Sequence, residues 1–458
     1  MSAAYRAKVR MYRHGLGDCF LISLPRDDAP DPYYIMIDCG VILGTADPQT
    51  KMTAVVNDIA TTTKGKIDLL IATHEHWDHI SGFVQAKDAL AKIAFAEVWL
   101  AWTEDPNDAQ ATKLRGQRAT ALRALQLSES RLRLAGEDDT ANHVGTFLTS
   151  FFGVASGSST HDALEIVRGL SKPKPPRYCS PNDDPVTPQG TSARLFVLGP
   201  PRDEHLLKKD AVAATSPEVY GLQQERLQQI YGMKPSGIDL SHFAPALEAA
   251  DPDTPFDSMQ TIPLEIAQQM PFFMQHYWGS DVNPAGDGPA WRRIDTAFLG
   301  AATELALQLD SATNNTSLVL AIQLADGDVL LFPADAQIGN WLSWQNLSWV
   351  VDGKTVTGPD LLKRVTFYKV GHHGSHNATL KAHGLEMMDG LQLAMIPVNV
   401  KMAQNKKWMR MPLDKLVDAL KAKTSGAVVQ ADQPVPPGVR SVAASPAPDP
   451  TLWYEVTL

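Results

Sequence analysis

Thr73-His74-Glu75-His76-Trp77-Asp78-His79 follows the apolar run Ile67 to Ala72 and sets three imidazoles and an aspartate within six residues. In a helix, His76 would point away from His74 and His79, so the spacing favours a tight loop or a first helical turn leaving a strand. Neutral imidazoles and carboxylates are the ligands that zinc, iron or manganese take in catalytic sites. Core packing explains an isolated histidine but not four such side chains at this spacing. The stretch therefore predicts a metal site.

Composition limits the class of protein. The chain has 458 residues, 44% of them hydrophobic, and a net charge of -10. This length suits one large domain with insertions or two to three domains. Non-specific binding of duplex nucleic acid requires a basic surface, so the acidic charge disfavours extended duplex partners. The short basic segment Lys401 to Arg410 is more typical of a solvated loop than of a binding patch.

Targeting and redox signals are weak. The N-terminus lacks the roughly 7 to 15 apolar residues of a secretory signal, and no later segment is apolar for about 18 residues. Cys19, Cys39 and Cys179 form no Cys-x-x-Cys pair, which fits a reducing compartment. The sequence therefore predicts a cytoplasmic protein with no membrane span.

Strand and helix patterns alternate along the chain, which favours an α/β architecture. In the first part, apolar runs at Cys19 to Leu24, Tyr33 to Ile37 and Ile67 to Ala72 predict strands, and Ile80 to Lys92 predicts a helix behind the histidine loop. Two largely helical insertions are predicted to interrupt this core. The predicted organisation is the first half of the α/β core at 1–101, a helical insertion at 102–191, a core strand at 192–201, a second insertion forming a cap at 202–312, and the second half of the core at 313–458.

Further candidate site residues follow other apolar runs. A hairpin is predicted around Asp326-Gly327-Asp328, and its second strand, Val329 to Phe332, ends just before Asp335. The run Val365 to Val370 leads into Gly371-His372-His373-Gly374-Ser375-His376. Because α/β sheets present functional loops at the carboxyl ends of their strands, Asp38, the histidine cluster, Asp335 and the His372-His373 pair are expected to converge.

This order of residues resembles the metallo-β-lactamase superfamily, most specifically in its His-x-His-x-Asp-His signature. The resemblance covers about residues 7–101, 193–200 and 313–458 and leaves the two insertions outside. Several flanking motifs are similar to the soluble lactamase-like domain of ComEC competence proteins, namely Gly15 to Ile22, Ile37 to Gly40, Asn314 to Ser317 and Val370 to Ser375. The resemblance implies a four-layer αββα sandwich with two largely helical insertions.

The resemblance also implies a set of roles. His74 and His76 would bind one divalent metal ion, Asp78 and His79 a second, and Asp335 would bridge the two. The ions would be zinc, with manganese or iron as alternatives. Asp38 would orient the ligand loop from behind. Of His372 and His373, one would ligate or lie beside the second metal and the other would contact a substrate oxygen. Which does which stays open, and His372 is the expected ligand.

The residues expected to act in catalysis are Asp78, His372 and His373. Asp18 is a further candidate, although a turn carboxylate is the favoured interpretation. His376 could reach the site or lie at the surface. Members of the superfamily often offer a third histidine where Asn314-Asn315 stands here, so Asn315 is the possible but weaker replacement. A further family motif, Gly-His-Pro, is replaced by Met411-Pro412.

The function implied is metal-dependent hydrolysis of a phosphodiester, with a metal-bridging hydroxide as the nucleophile. One alternative is hydrolysis of a carboxylic ester, lactone or thioester at the same centre. Another is a binding or sensor protein on this scaffold, favoured by the two missing ligands. A cap over the site, together with the acidic charge, favours a small or single-stranded anionic substrate.

Overall fold

The structure is a computed structural model that describes residues 5–134, 138–153, 159–181, 183–209, 264–267, 269–274, 294–406, 408 and 410–458. Most of the predicted cap at 202–312 lies outside these residues, as does Met409. In chain order, the strands are β1 (Lys8–Tyr12), β2 (Phe20–Leu24), β3 (Tyr33–Ile37), β4 (Lys66–Ala72), β5 (Ala94–Ala101), β6 (Arg177–Cys179), β7 (Arg194–Gly199), β8 (Val319–Gln323), β9 (Val329–Phe332), β10 (Ser348–Val351), β11 (Lys354–Thr357), β12 (Val365–Lys369), β13 (Leu393–Ile396), β14 (Val428–Gln430), β15 (Val442–Ala444) and β16 (Trp453–Thr457).

The helices are numbered in the same way. They are α1 (Pro48–Thr62), α2 (Trp77–Gln85), α3 (Lys87–Leu90), α4 (Ala109–Leu134), α5 (Asp138–Phe152), α6 (Thr160–Gly169), α7 (Glu204–Leu207), α8 (Leu264–Ala267), α9 (Pro271–Phe273), α10 (Ile294–Asn314), α11 (Ile338–Ser343), α12 (Gly358–Lys363), α13 (Val400–Asn405) and α14 (Asp414–Lys423). Within the described residues, no helix combines the length and the apolar character that a membrane crossing needs.

The strands form two large mixed sheets and one hairpin. The first sheet has eight strands in the order β15-β16-β1-β2-β3-β4-β5-β6, the second has six in the order β14-β13-β12-β9-β8-β7, and β10 pairs with β11. In both large sheets an antiparallel part leads into a parallel part. Strands β3, β4, β5 and β6 run parallel, and so do β9, β12, β13 and β14.

One apolar core joins the two sheets. It contains alternate residues from both, such as Ile22, Ile71, Ile322 and Met395, and the rings of Phe20 and Phe332 meet edge to face across it with centroids 6.0 Å apart. This follows from the period of two along a strand, which gives each sheet two apolar faces when both are covered. Burying each such side chain stabilises the fold by about 1.5–3 kcal/mol.

Helices cover the other face of each sheet. On the first sheet, residues of α1, α2, α3 and α6 pack on strands β3, β4 and β5. On the second, Trp341 of α11, Leu361 of α12 and Leu416 of α14 pack on β9, β12 and β13. The molecule is therefore a mixed α/β protein in which helix, sheet, sheet and helix follow one another.

The carboxyl ends of the parallel strands from both sheets lie side by side. The main-chain N–H of Leu318, just before β8, donates to the carbonyl of Thr73 just after β4, at 2.9 Å. Because β8 runs antiparallel to β9, this bond sets the end of β4 beside the end of β9. The sheets therefore bring the loops after β3, β4, β9 and β12 to one edge.

Several elements differ from the sequence-based expectation. The helix behind the histidine loop begins at Trp77 rather than Ile80, so the last residues of the metal motif lie in its first turn. The predicted helical insertion 102–191 contains β6, which pairs with β5 and extends the first sheet. The segment from Gln433 to Pro450 holds six prolines, which favours an irregular crossing, but it contributes β15. Strands β6 and β15 have three residues each, so their pairing with β5 and β16, rather than their own sequences, fixes them.

The chain divides into two compact units, Met1–Thr112 with Thr149–Gly232 and Asp310–Leu458, and Lys113–Leu148 with Met233–Leu309. The first unit holds both sheets and every residue of the site described below. The second takes parts of both predicted insertions. In the second unit nearly all of the described residues are helical, including most of α4, α5 and α10.

Candidate metal centre

The histidine loop leaves β4 and enters α2 directly. His76 is the N-cap residue of α2 in extended conformation, and its carbonyl accepts from the N–H groups of His79 and Ile80. Asp78 and His79 therefore lie in the first turn, where the unpaired N–H groups of a helix favour a carboxylate. His74, His76, Asp78 and His79 are all at most 3% exposed.

Two glycines let neighbouring loops press against this turn. A Cβ on Gly40 would lie 2.4 Å from the carbonyl carbon of Asp78, and a Cβ on Gly17 would lie 2.7 Å from the carbonyl oxygen of Asp78. With the glycines in place, Asp18 N–H donates to the Asp78 carbonyl and Cys39 N–H donates to the His79 carbonyl, at 3.0 and 2.8 Å. The loops that follow β1 and β3 thus clamp the metal motif through main-chain contacts.

His74 and His76 form the first half of the site. Nε2 of His74 lies 3.1 Å from Nδ1 of His76, and Nδ1 of His74 lies 3.1 Å from the Thr73 hydroxyl oxygen. Burial lowers the pKa of His74 well below its usual value and that of His76 to about 3. Two neutral rings therefore direct nitrogen atoms at each other, as two ligands of one cation would.

Asp78, His79, Asp335 and His373 form the second half. One ligand atom from each lies within 4.8 Å of the others, and all four residues are buried. His79 Nε2 is 3.1 Å from Asp335 Oδ2, and His373 Nε2 is 3.0 Å from Asp78 Oδ2. The residues come from three loops, after β4, β9 and β12. This buried Asp/His cluster can hold a metal ion.

Buried atoms without partners support the same conclusion. Asp78 Oδ1 has no hydrogen-bond partner among the described residues, and His79 Nε2 has only the ion-pair contact with Asp335 Oδ2 at 3.1 Å. Leaving such atoms unpaired costs about 1–3 kcal/mol each. Oxygen and imidazole nitrogen atoms that converge in this way match the ligand preferences of zinc, manganese and iron, so the residues fit the divalent ions that the sequence predicts.

The charged groups of the second half shift one another's pKa values. Although burial opposes the charge, His79 and His372 hold the pKa of Asp335 well below its usual value. Burial also opposes a proton on His79, but Asp335 and Asp18 raise its pKa well above the usual value. His373 has a raised pKa through its contact with Asp78. The raised pKa values of the two rings and the lowered pKa of Asp335 thus follow from the same set of contacts.

Of the histidine pair, His373 reaches the cluster. Its Nδ1 donates to the Pro397 carbonyl at 2.7 Å, which turns Nε2 toward Asp78. His372, expected as the ligand, has its Nε2 3.9 Å from Asp335 Oδ2 and is 7% exposed. The position of His372 beside the cluster suits a contact with substrate. Both residues adopt left-handed backbone, with φ of 41° and 52°.

Asp38 lies behind the ligand loop, where the sequence analysis expects it. Its carboxylate accepts from the Thr73 N–H at 2.8 Å and from the Thr73 hydroxyl at 2.7 Å. Its Oδ2 is also 2.8 Å from Nδ1 of His79. A carboxylate at one ring nitrogen fixes the tautomer and leaves the other nitrogen for a metal.

Lys369 is a site residue that the sequence analysis missed. Its ammonium group contacts Asp18 Oδ2, donates to the Ala334 carbonyl at 3.0 Å and lies 3.7 Å from Asp335 Oδ1. Although burial opposes it, the charges of Asp18 and Asp335 raise the pKa of Lys369. Asp18, favoured as a turn carboxylate, is thus part of the buried network. A lysine inside the apolar run before Gly371 was the available signal.

The side-chain amide of Asn315 makes its hydrogen bonds to main-chain groups. Its amide donates to the carbonyls of Leu207 and Lys209, and its Oδ1 accepts from the N–H groups of Gln337 and Asn340. These bonds tie the start of β8 to α7 and α11. Asn315 therefore has a structural role in place of the ligand role considered for it.

Asp310, at the end of α10, is the second residue that the sequence analysis missed. Its Oδ2 accepts from the Asn314 amide at 3.2 Å, and its Oδ1 lies 4.0 Å from His76 Nε2. Burial, followed by the charges of Asp335 and Asp78, raises its pKa well above the usual value. No motif marks this aspartate, because it stands inside a helical insertion and reaches the site only in three dimensions.

The remaining candidates surround the site. His376 is half-buried, and burial lowers its pKa to about 4. Glu75 accepts from the Thr160 hydroxyl of α6 at 2.9 Å, outside the cluster. Pro412 packs on Gly374, and Leu413 N–H donates to the Gly374 carbonyl at 2.9 Å, so this segment supports the His372-His373 turn. Arg410 is exposed.

Comparison with protein-family models gave no match to this chain, and comparison with curated proteins gave none either. Function is therefore inferred from the residues and their geometry.

Proposed function

We propose that this chain is a metal-dependent hydrolase with the metallo-β-lactamase fold and that it cleaves a phosphodiester. One observation carries the proposal. Ligand atoms of Asp78, His79, Asp335 and His373, delivered by three separate loops, converge within 4.8 Å in a buried cluster. The two-sheet core with helices on both outer faces and the His-x-His-x-Asp-His motif at a strand end support the assignment of the fold.

The residues divide into two sets of ligands. His74 and His76 would hold a first divalent ion, and Asp78, His79 and His373 would hold a second, with Asp335 between them. Two such ions, when bound, would lower the pKa of a water molecule so that it can act as a nucleophile at neutral pH and would stabilise charge on the phosphoryl oxygens. Asp38 would keep His79 in the correct tautomer.

The net charge of the buried site residues supports the binding of two divalent ions and of an anionic substrate. The carboxylates of Asp18, Asp38, Asp78 and Asp335 with the ammonium of Lys369 carry three net negative charges in a buried region. One divalent ion leaves these groups negative, whereas two bring their sum to about one net positive charge, or to zero with the Asp310 carboxylate included, so two ions remove the repulsion of an anionic substrate. His372, at the exposed edge of the cluster, would donate a hydrogen bond to a substrate oxygen.

The experiment compares substrate classes. Protein loaded with zinc or manganese is assayed with bis-p-nitrophenyl phosphate, single-stranded nucleic acid and cyclic dinucleotides, and in parallel with lactone and thioester panels. We expect phosphodiester turnover that falls by at least about a hundredfold in His76→Ala and Asp335→Ala, because each variant removes a ligand of the reacting ions. Turnover confined to lactones or thioesters would assign the same centre to carbonyl chemistry.

A binding or sensor protein is the second candidate. It is favoured by Asn315, whose amide is used by main-chain partners and so supplies no third ligand to the first ion. This candidate predicts substoichiometric metal and no turnover on any panel. Two equivalents of metal by elemental analysis, with activity lost in both variants, would eliminate it.

A further inference from the structure

His79 and His373, two histidines of the candidate centre, use their two ring nitrogens differently. One nitrogen faces the other ligands, and the second faces a group behind the ring. His79 directs Nδ1 at Asp38 and Nε2 at Asp335, and His373 directs Nδ1 at the Pro397 carbonyl and Nε2 at Asp78. An acceptor behind a ligating ring fixes its tautomer and orientation, and its loss typically lowers metal affinity 10- to 100-fold.

His76 shows the same division, with Asp310 behind it. Nδ1 of His76 faces Nε2 of His74 at 3.1 Å, so Nε2 is the outer nitrogen. Asp310 Oδ1 lies 4.0 Å from that Nε2. Both atoms are buried, and neither has a hydrogen-bond partner among the described residues.

The surroundings favour pairing between these two atoms. The rings of Phe151 and Phe152 pack on the His76 ring with centroids 5.1 and 5.4 Å away, which gives the imidazole an apolar flank. Asn314 holds the other oxygen of Asp310 at 3.2 Å, one helical turn further along α10. The gap exceeds an N–H···O hydrogen bond by about 1 Å, so a direct hydrogen bond requires one of the two side chains to move by that distance.

We propose that Asp310 is a positioning residue for the metal centre: it accepts a hydrogen bond from Nε2–H of His76 and thereby directs the Nδ1 lone pair, with His74 Nε2, at the first metal ion. This inference rests on the proposed metal centre. The carboxylate approaches His76 at Nε2 and not at the nitrogen that faces His74, which separates this role from that of a direct ligand.

The role explains how a short ligand set holds the first ion. With Asn315 occupied elsewhere, His74 and His76 carry more of the binding, and an imidazole that turned freely would bind poorly. The acceptor comes from the end of α10, in the segment that the family resemblance leaves outside. The insertion therefore supports the metal centre directly.

The test measures zinc affinity by competition with a chromophoric chelator. Asp310→Ala removes the acceptor, Asp310→Asn keeps an oxygen acceptor at the same place, and Ser311→Ala is the matched control on the neighbouring residue of α10. We expect Asp310→Ala to weaken one of two zinc equivalents 10- to 100-fold, and Asp310→Asn to restore most of the affinity. The control is expected to bind as the wild type does.

A spectroscopic readout accompanies the titration. In zinc-loaded protein labelled with ¹⁵N-histidine, the His76 signals, assigned by their loss in His76→Ala, should show a protonated, slowly exchanging Nε2 in the wild type and Asp310→Asn but not in Asp310→Ala. Wild-type affinity and an unchanged His76 signal in Asp310→Ala would overturn the proposal. Equal losses in the Asn and Ala variants would also overturn it, because the affinity would then depend on the carboxylate charge, as for a direct ligand, and not on the oxygen acceptor that Asn retains.

The same titration separates this inference from the proposed function. If His76→Ala loses one zinc equivalent but Asp310→Ala binds both as tightly as the wild type does, the metal centre is supported and the proposed role of Asp310 is wrong. If His76→Ala binds zinc as the wild type does, the metal centre itself is wrong, and the inference falls with it. If Asp310→Ala fails to fold, the Asn variant decides: retained affinity supports the proposal, and lost affinity overturns it.

Discussion

At the residue scale, the centre depends on charges that burial makes costly unless they are matched. Lys369 is 1% exposed and contacts Asp18 and Asp335, both of which are also buried. In such surroundings an ion pair adds little net stability, but removal of one partner leaves an uncompensated charge. Lys369 thus compensates the negative charge of these buried carboxylates and helps to hold them in place when no metal is bound.

Replacing Lys369 tests this dependence. Lys369→Met keeps the apolar stem and removes the ammonium, so we expect the metal-free protein to lose about 3–5 kcal/mol of unfolding free energy. The measurement is urea unfolding in the presence of a chelator. Lys381→Met is the control, because its pair with Glu386 is 42% and 52% exposed and contributes at most about 1 kcal/mol. A loss no larger than that of the control would contradict the buried charge pairing.

At the element scale, the loops that carry the ligands are fixed by close main-chain contact. Gly40 follows Asp38 and lies directly on the first turn of α2. The contact sets the distance between the loop after β3 and the ligand loop after β4. It therefore matters more than the helix propensity of α2 for placing Asp78 and His79.

Gly40→Ala should disturb both stability and metal binding. The added Cβ would lie 2.4–2.5 Å from main-chain atoms of Asp78 and His79, so the ligand loop must move. We expect a loss of about 1–3 kcal/mol in unfolding free energy, as for other overpacked sites, together with weaker zinc binding. Gly116→Ala is the control, since its Cβ meets nothing within 4 Å and a helical alanine stabilises by about 0.5–1 kcal/mol. Normal zinc affinity in Gly40→Ala would show that the contact does not position the ligands.

At the scale of the whole molecule, metal binding and folding should be linked. The ligands come from loops after β4, β9 and β12, which lie far apart in the chain, so an unfolded chain cannot gather them. Free zinc at a hundred times its dissociation constant should then stabilise the protein by about 2.7 kcal/mol. Thermal unfolding with zinc and with a chelator measures this difference.

The stabilisation by zinc should also depend on pH. His79 has a raised pKa, so its protonated form stabilises the metal-free fold below the unfolded value of 6.5, and that contribution is lost as pH rises through the folded pKa. Zinc requires the neutral ring and displaces the proton. The gain in stability from zinc should therefore grow as pH rises from about 6.5. A gain that is independent of pH across this range would argue against His79 as a ligand.

The local sequence indicated most of the elements and most of the residues of the candidate metal centre. Hydrophobic runs with a period of two mark most of the strands, and the His-x-His-x-Asp-His spacing marks a metal motif at a strand end, because strand patterns and ligand spacing are short-range properties. The α/β class and the convergence of Asp38, Asp335 and His373 follow from the rule that parallel strands present their ends at one edge.

Only the tertiary structure decided which further side chains lie beside the candidate centre. Lys369 and Asp310 lie far in sequence from the histidine loop, and Asn315 is occupied by main-chain groups of α7 and α11. His373 rather than His372 joins the cluster, and its ring is oriented by a hydrogen bond to the carbonyl of Pro397, which directly follows the neighbouring strand β13. These assignments rest on contacts between distant segments, which packing of the two sheets creates and no local pattern encodes.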